Sequence, residues 1–145
     1  MRSLQRSRVR SSASDDFVEH RLAAIQDVVD RFMYGLAMII AGQEADFDGI
    51  LAPHLADRLA AATEIASRQC RLHPDFGAYG ELRIEGDLCS TDHPVRATLH
   101  FEDHSMYESA TGHLRPMPRR RVCVDMCIRL DPCVLETCSI TFVAD

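Results

Sequence analysis

Lysine and tryptophan are absent from this chain; its 16 basic residues are all arginine. The missing lysine reads as a coding bias and carries no functional weight. No apolar run approaches the roughly 18 residues that a membrane-spanning helix needs. The greasiest stretch, Gly35 to Ala41, is far shorter, so a soluble or peripheral protein is expected. There is no CxxC pair, no phosphate-binding glycine loop, no nucleophile elbow and no spacing of side chains suited to a metal. No internal repeat is visible. No motif therefore specifies a reaction, a metal or a cofactor.

What is present is ordinary for one globular domain: 145 residues, 46% hydrophobic and 26% charged. The charge is unevenly placed. All 22 acidic residues follow Ser14, while Arg2, Arg6, Arg8 and Arg10 precede it, so the body from Asp15 onward carries a net −10 within a total of −6. Phosphate contact needs a positive face, which makes nucleic acid a poor fit to that body. Residues 1–14, MRSLQRSRVRSSAS, combine four arginines with five serines and no acid. This is the composition of a mitochondrial or chloroplast transit segment. A disordered basic tail and an arm touching RNA or membrane are the other readings. The expected organisation is a basic leader over 1–14 and a single α+β domain over 15–145. A mitochondrial location is expected, with chloroplast or cytoplasm as alternatives.

Six cysteines (Cys70, Cys89, Cys123, Cys127, Cys133, Cys138) are expected as free, mostly buried thiols, because a disulfide framework belongs to short secreted chains. Cys123 and Cys127 lie four apart in a strand pattern, on one face but roughly 13 Å from each other, too far to chelate one metal.

Asp15 and Asp16 offer a helix start. Apolar residues from Phe17 through Val18, Leu22, Ile25, Val28, Val29, Phe32, Met33, Leu36, Ile39 and Ile40 then recur at helical spacing and end near Gly42. A second helical pattern runs from about Asp46 to Arg71, with a kink or restart at Pro53. After Pro74, Gly77 and Gly80 the period changes to two, predicting strands over Glu81–Cys89, Val95–Glu102, Val122–Leu130 and Val134–Phe142. Ser109–Pro118 is expected as an irregular loop. Pairing 130 with 134 and 122 with 142 puts Val122, Val124, Met126, Ile128 and Leu130 on one side with Val134, Cys138, Ile140 and Phe142. Glu136 then faces inward opposite Ile128, either at a fraying sheet end or looking into a pocket.

The outward side of the last two strands would carry Cys123, Asp125, Cys127, Leu135, Thr137, Ser139, Thr141 and Val143. That mixture is less charged than a solvated sheet face, which points to cover by another subunit. Arg119, Arg120 and Arg121 form the body's one basic cluster, suited to phosphate, lipid headgroups or an acidic partner, or else a solvated strand entrance. The partner-binding candidates are therefore Arg119, Arg120, Arg121, Cys123, Asp125, Cys127, Thr137 and Thr141. His100, Glu102 and His104 share a strand face, with the two histidines too far apart for one metal.

The segment from Ala41 to Ala56, AGQEADFDGILAPHLA, resembles the helix, acidic break and second helix of NTF2-like proteins. The helix continuing to Arg71 and the final strand Cys138–Val143 are more similar to the Tim44-like branch, from whose pattern the missing tryptophan departs. The resemblance implies two or three N-terminal helices packed on a curved four-stranded antiparallel sheet, the NTF2/Tim44-like cone. It also implies a non-catalytic accessory or structural subunit of a larger organellar assembly, which binds other proteins, with a place at a membrane periphery as one option. The alternative that it implies is a small enzyme of the isomerase or cyclase type with a pocket between helix and sheet. Tyr34 lies close to where such isomerases carry a tyrosine, the matching aspartate of their pattern is missing, and no catalytic residue is assigned, Tyr34 and Asp125 being the alternative candidates. The bland readings are a Tyr34 ring packed in the core with its hydroxyl at the edge, and an Asp125 that is exposed or at an interface.

Overall fold

In the computed structural model, residues 3–10, 15–47, 49–66, 72–76, 81–89 and 92–144 are described. Two helices, α1 (Asp15–Ile40) and α2 (Pro53–Ala66), precede most of the strands. The strands are β1 (Ser3–Arg10), β2 (Leu72–His73), β3 (Glu81–Asp87), β4 (Val95–Asp103), β5 (Met106–Glu108), β6 (Leu114–Pro116), β7 (Arg120–Arg129) and β8 (Val134–Ala144). The main sheet runs β1-β3-β4-β7-β8, and β2, β5 and β6 make a second, smaller sheet. The four strands expected from the period of two are all present and pair antiparallel with one another. The helix continuation to Arg71, Cys70, the breaks at Gly77 and Gly80, and the side chains of Ile65 and Ala66 lie outside the described residues.

Helix α1 follows from its stripe. Val18, Leu22, Ile25, Val28, Val29, Phe32 and Met33 are all buried, in one cluster with Leu82, Ile84, Val95, Ala97, Leu99, Val124, Met126 and Ile128 of the sheet. Phe17 departs from the pattern: it is exposed, with the Arg21 guanidinium 4.6 Å from its ring centre. The helix stops at Gly42, where the left-handed φ of 75° allows the Gln43 N–H to reach the Met38 carbonyl and the Gly42 N–H to reach that of Ile39.

Residues 46, 47 and 49–52 are not helical, contrary to the segment's apolar pattern. Pro53 disfavours helical backbone in the residue before it and suits the first helical position, so α2 starts there, with the Leu55 and Ala56 N–H groups donating to the Ala52 carbonyl. Ile50 and Ala52 instead bond β8: the Leu135 N–H donates to the Ile50 carbonyl (2.7 Å) and the Ala52 N–H to that of Leu135 (2.9 Å).

The register of the last hairpin holds from Val122↔Phe142 to Cys127↔Thr137 and then shifts by one, to Ile128↔Leu135. Glu136 is the extra residue of this bulge. The shift overturns three expectations, the first being the pairing of 130 with 134, because Val134 stands opposite Arg129. Leu135 is fully buried rather than outward, and Glu136 pairs with Arg129 beside the bulge rather than facing Ile128. A buried carboxylate without a partner would be costly, and one inserted residue moves Leu135 inward in its place. At the far end of the same strand Ile140 and Phe142 face the inner side as expected, yet they are 36% and 52% exposed.

Ser109–Pro118 is not wholly irregular, because its Leu114–Pro116 pairs with Met106–Glu108. Within residues 1–14, 3–10 form β1, parallel to β3 with Ser3 opposite Glu81, and 11–14 lie outside the described residues.

Gly35 gives the clearest packing test. A Cβ there would sit 2.3 Å from the Phe47 ring, which packs 6.0 Å from that of Phe32. Gly35→Ala should therefore lower Tm, the steric penalty of about 1–3 kcal/mol outweighing the gain of about 1 kcal/mol in helix propensity. In a thermal-melt double-mutant cycle the penalty should largely vanish in the Phe47→Ala background.

Candidate functional site

Alternation along β4, β7 and β8 places a second set of residues on the side of the sheet away from α1. Register aligns them in rows across the strands: Arg96, Cys127 and Thr137; Thr98, Asp125 and Ser139; His100, Cys123 and Thr141. Among the described residues no helix lies over this face. Thr137, Ser139 and Thr141 are exposed, and Cys123, Asp125 and Cys127 are half-buried. Five of the eight partner-binding candidates thus share one surface, and Arg121 adds a sixth at its end, opposite Glu102.

Asp125 is the centre of this face. Its carboxylate accepts a hydrogen bond from the Thr98 hydroxyl at 3.0 Å and one from the Cys123 thiol at 3.7 Å. Burial, and then the Asp125 charge and hydrogen bond, push the Cys123 thiol above its ordinary pKa. A cavity of about 210 Å³ opens here, lined by Arg96, Asp125, Cys127, Thr137 and Ser139 among others. It is below the usual size of a small-molecule site. Around it the chemistry is that of hydroxyls, thiols and one carboxylate, with arginines at the margins.

The basic cluster is divided by the strand. Arg119 and Arg121 are exposed, whereas Arg120 turns to the inner side and pairs with buried Asp103, Nη2 to Oδ2 at 3.2 Å. Its guanidinium also lies 4.3 Å from the centre of the Phe142 ring. Asp103 accepts the N–H of Ser105 at 3.0 Å and is bonded by the Ser105 hydroxyl. Ser105 in turn accepts the Asp75 N–H at 3.3 Å and, on its carbonyl, the Met117 N–H at 3.2 Å. This knot ties the smaller sheet to the main one. Sequence reasoning missed it, although an Asp two residues before a Ser is the pattern of a side chain that caps its own turn.

The enzyme candidates are not brought together. Tyr34 is 70% exposed on α1, so its ring is not in the core as expected, and Asp125 lies across the sheet from that helix. His104 is hydrogen-bonded to Glu102, Nε2 to Oε2 at 2.9 Å, a contact that holds the Glu102 carboxyl below the usual carboxylate range. Among the described residues no three His, Cys, Asp or Glu side chains converge as a metal site would require. Comparison with protein-family models, with curated proteins and with solved structures finds no match to this chain.

Two tests follow from the thiols. Asp125→Asn removes the negative charge that raises the Cys123 pKa, so alkylation of Cys123 near pH 8, followed by peptide mass spectrometry, should become faster. Cys138, on the inner side of β8, is pushed up to about 11 by burial. Its folded pKa thus exceeds its unfolded value of about 9, and its contribution to stability is complete below about pH 9 and lost as pH rises toward about 11. Melts across that window should show a shallower decline for Cys138→Ala than for the wild type.

Proposed function

We propose that this chain is a non-catalytic accessory or structural subunit of a larger protein assembly, acting as a protein-binding module through the outer face of β4, β7 and β8. The observation that carries the proposal is the character of that face. Three exposed hydroxyl residues and three half-buried groups, Cys123, Asp125 and Cys127, stand where a sheet facing only water normally carries charge. Small, weakly polar side chains lose little conformational entropy on being covered, and they suit close approach of a partner. Arg119 and Arg121 at the margin favour an acidic rim on that partner.

The proposal extends to an organellar, mitochondrial location, supported by the arginine- and serine-rich residues 1–14. Removal of that segment would take β1 with it and leave β3 at the sheet edge. A curved NTF2/Tim44-like cone is part of the same proposal, supported by the order of two helices before four antiparallel strands. Tyr34 and Asp125, which an isomerase-type enzyme would use together, lie on opposite sides of the sheet, and the binding module is favoured for that reason.

Size-exclusion chromatography of the native protein, with mass spectrometry of the co-migrating chains and of its N-terminus, tests this. Wild type is expected in a complex well above twice its own mass. Ser139→Arg, on the outer face, should release it, and Tyr34→Ala, on the other side, should not. Elution at the mass of one or two chains in every case would remove the proposal.

A further inference from the structure

The two edges of the main sheet differ in charge. β1 has Arg6, Arg8 and Arg10 in its sequence. β8 has no charged residue from Thr137 to Ala144, and no proline or glycine. Edge strands are ordinarily protected from pairing by charge, proline, bulges or a covering segment. Here the protection is confined to one end. Ile50 and Ala52 cover Leu135, and the bulge sits at Glu136. From Thr137 onward no described residue bonds the second edge of the strand.

Apolar surface is left open at the same place. Val124 and Val122 on β7 are buried, but their partners Ile140 and Phe142 are not. The cation nearest Phe142 belongs to Arg120, which is already balanced by Asp103.

We infer that β8 is the seat of a second copy of this chain, paired antiparallel about a two-fold axis at Ile140, so that two sheets continue as one. A two-fold contact sets a surface against itself, and this strand is suited to it. About Ile140, Ser139 meets Thr141 on the outer side. On the inner side Cys138 meets Phe142, and the two Ile140 side chains meet each other. No charge faces its like along the shared stretch, although the body as a whole carries −10 and repels its copy elsewhere. The paired edge satisfies the open backbone groups and covers Ile140 and Phe142 in one step. The outer faces of both copies stay free for other partners.

Size-exclusion chromatography with light scattering on the full chain, purified alone and free of other proteins, tests the pairing. Wild type is expected at twice 16.3 kDa, dissociating on dilution. Ile140→Arg places two like charges across the axis and should weaken association by about tenfold or more, with the far-UV circular dichroism unchanged. Ile140→Cys gives a second measurement. Directly opposite residues have Cα atoms about 4.5–5.5 Å apart, within the span of a disulfide. Mild oxidation should therefore yield a covalent dimer whose linkage maps to that position by peptide mass spectrometry. A wild type that stays monomeric, or a dimer that Ile140→Arg leaves intact and oxidation does not link there, overturns the inference. In that case β8 would be left to a segment of a different chain.

Discussion

The apolar stripe of α1 against the inner face of β3, β4 and β7 is the contact on which the other features depend. Ile25, Val29, Phe32 and Met33 meet Leu82, Ile84, Leu99, Val124 and Ile128 in a single cluster, all close to fully buried. At roughly 1.5–3 kcal/mol for each such side chain, this burial is the largest favourable contribution in the molecule. It also fixes orientation. Because strand side chains alternate, burying Val122, Val124 and Met126 commits Cys123, Asp125 and Cys127 to the opposite side, where α1 does not reach. The candidate site follows from the core.

One bulge modifies that rule, and its effects reach both the core and the edge. Glu136 interrupts the alternation of β8 and brings Leu135 inward opposite Ile128. The same irregularity accompanies the bonds from Leu135 to Ile50 and Ala52, which hold the chain between the helices against the sheet. Beyond it the strand returns to its original alternation with no such cover among the described residues. Ile140 and Phe142 are the result: inner-face residues by register, solvent-exposed by position. The proposed homodimer and the proposed partner face therefore use two different aspects of β8, its backbone edge and its outward side chains.

The sequence alone determined those parts of the fold that rest on periodicity. The stripe of α1, its end at Gly42, the alternation of β3, β4 and β7 and of β8 from Thr137 onward, and the register around Val122 and Phe142 could all be read from the sequence. Hydrophobic period is a local property and survives without knowledge of neighbours. The outward grouping of Cys123, Asp125, Cys127, Thr137 and Thr141 was legible for the same reason.

Only the tertiary structure decided what depends on residues far apart in the chain. The apolar residues at 46–52 matched a helix, but their backbone bonds Leu135 instead. Tyr34 could have been core or surface by its place on the helix, and it is exposed because no described residue forms a layer over that side. Arg119, Arg120 and Arg121 read as a cluster, yet buried Asp103 on β4 draws Arg120 away from the others. The basic segment at the start of the chain gave no strand signal, and its pairing with β3 uses backbone groups, which are the same in every residue but proline. Composition and spacing report what a side chain prefers; which partner reaches it is set by the packing of the whole chain.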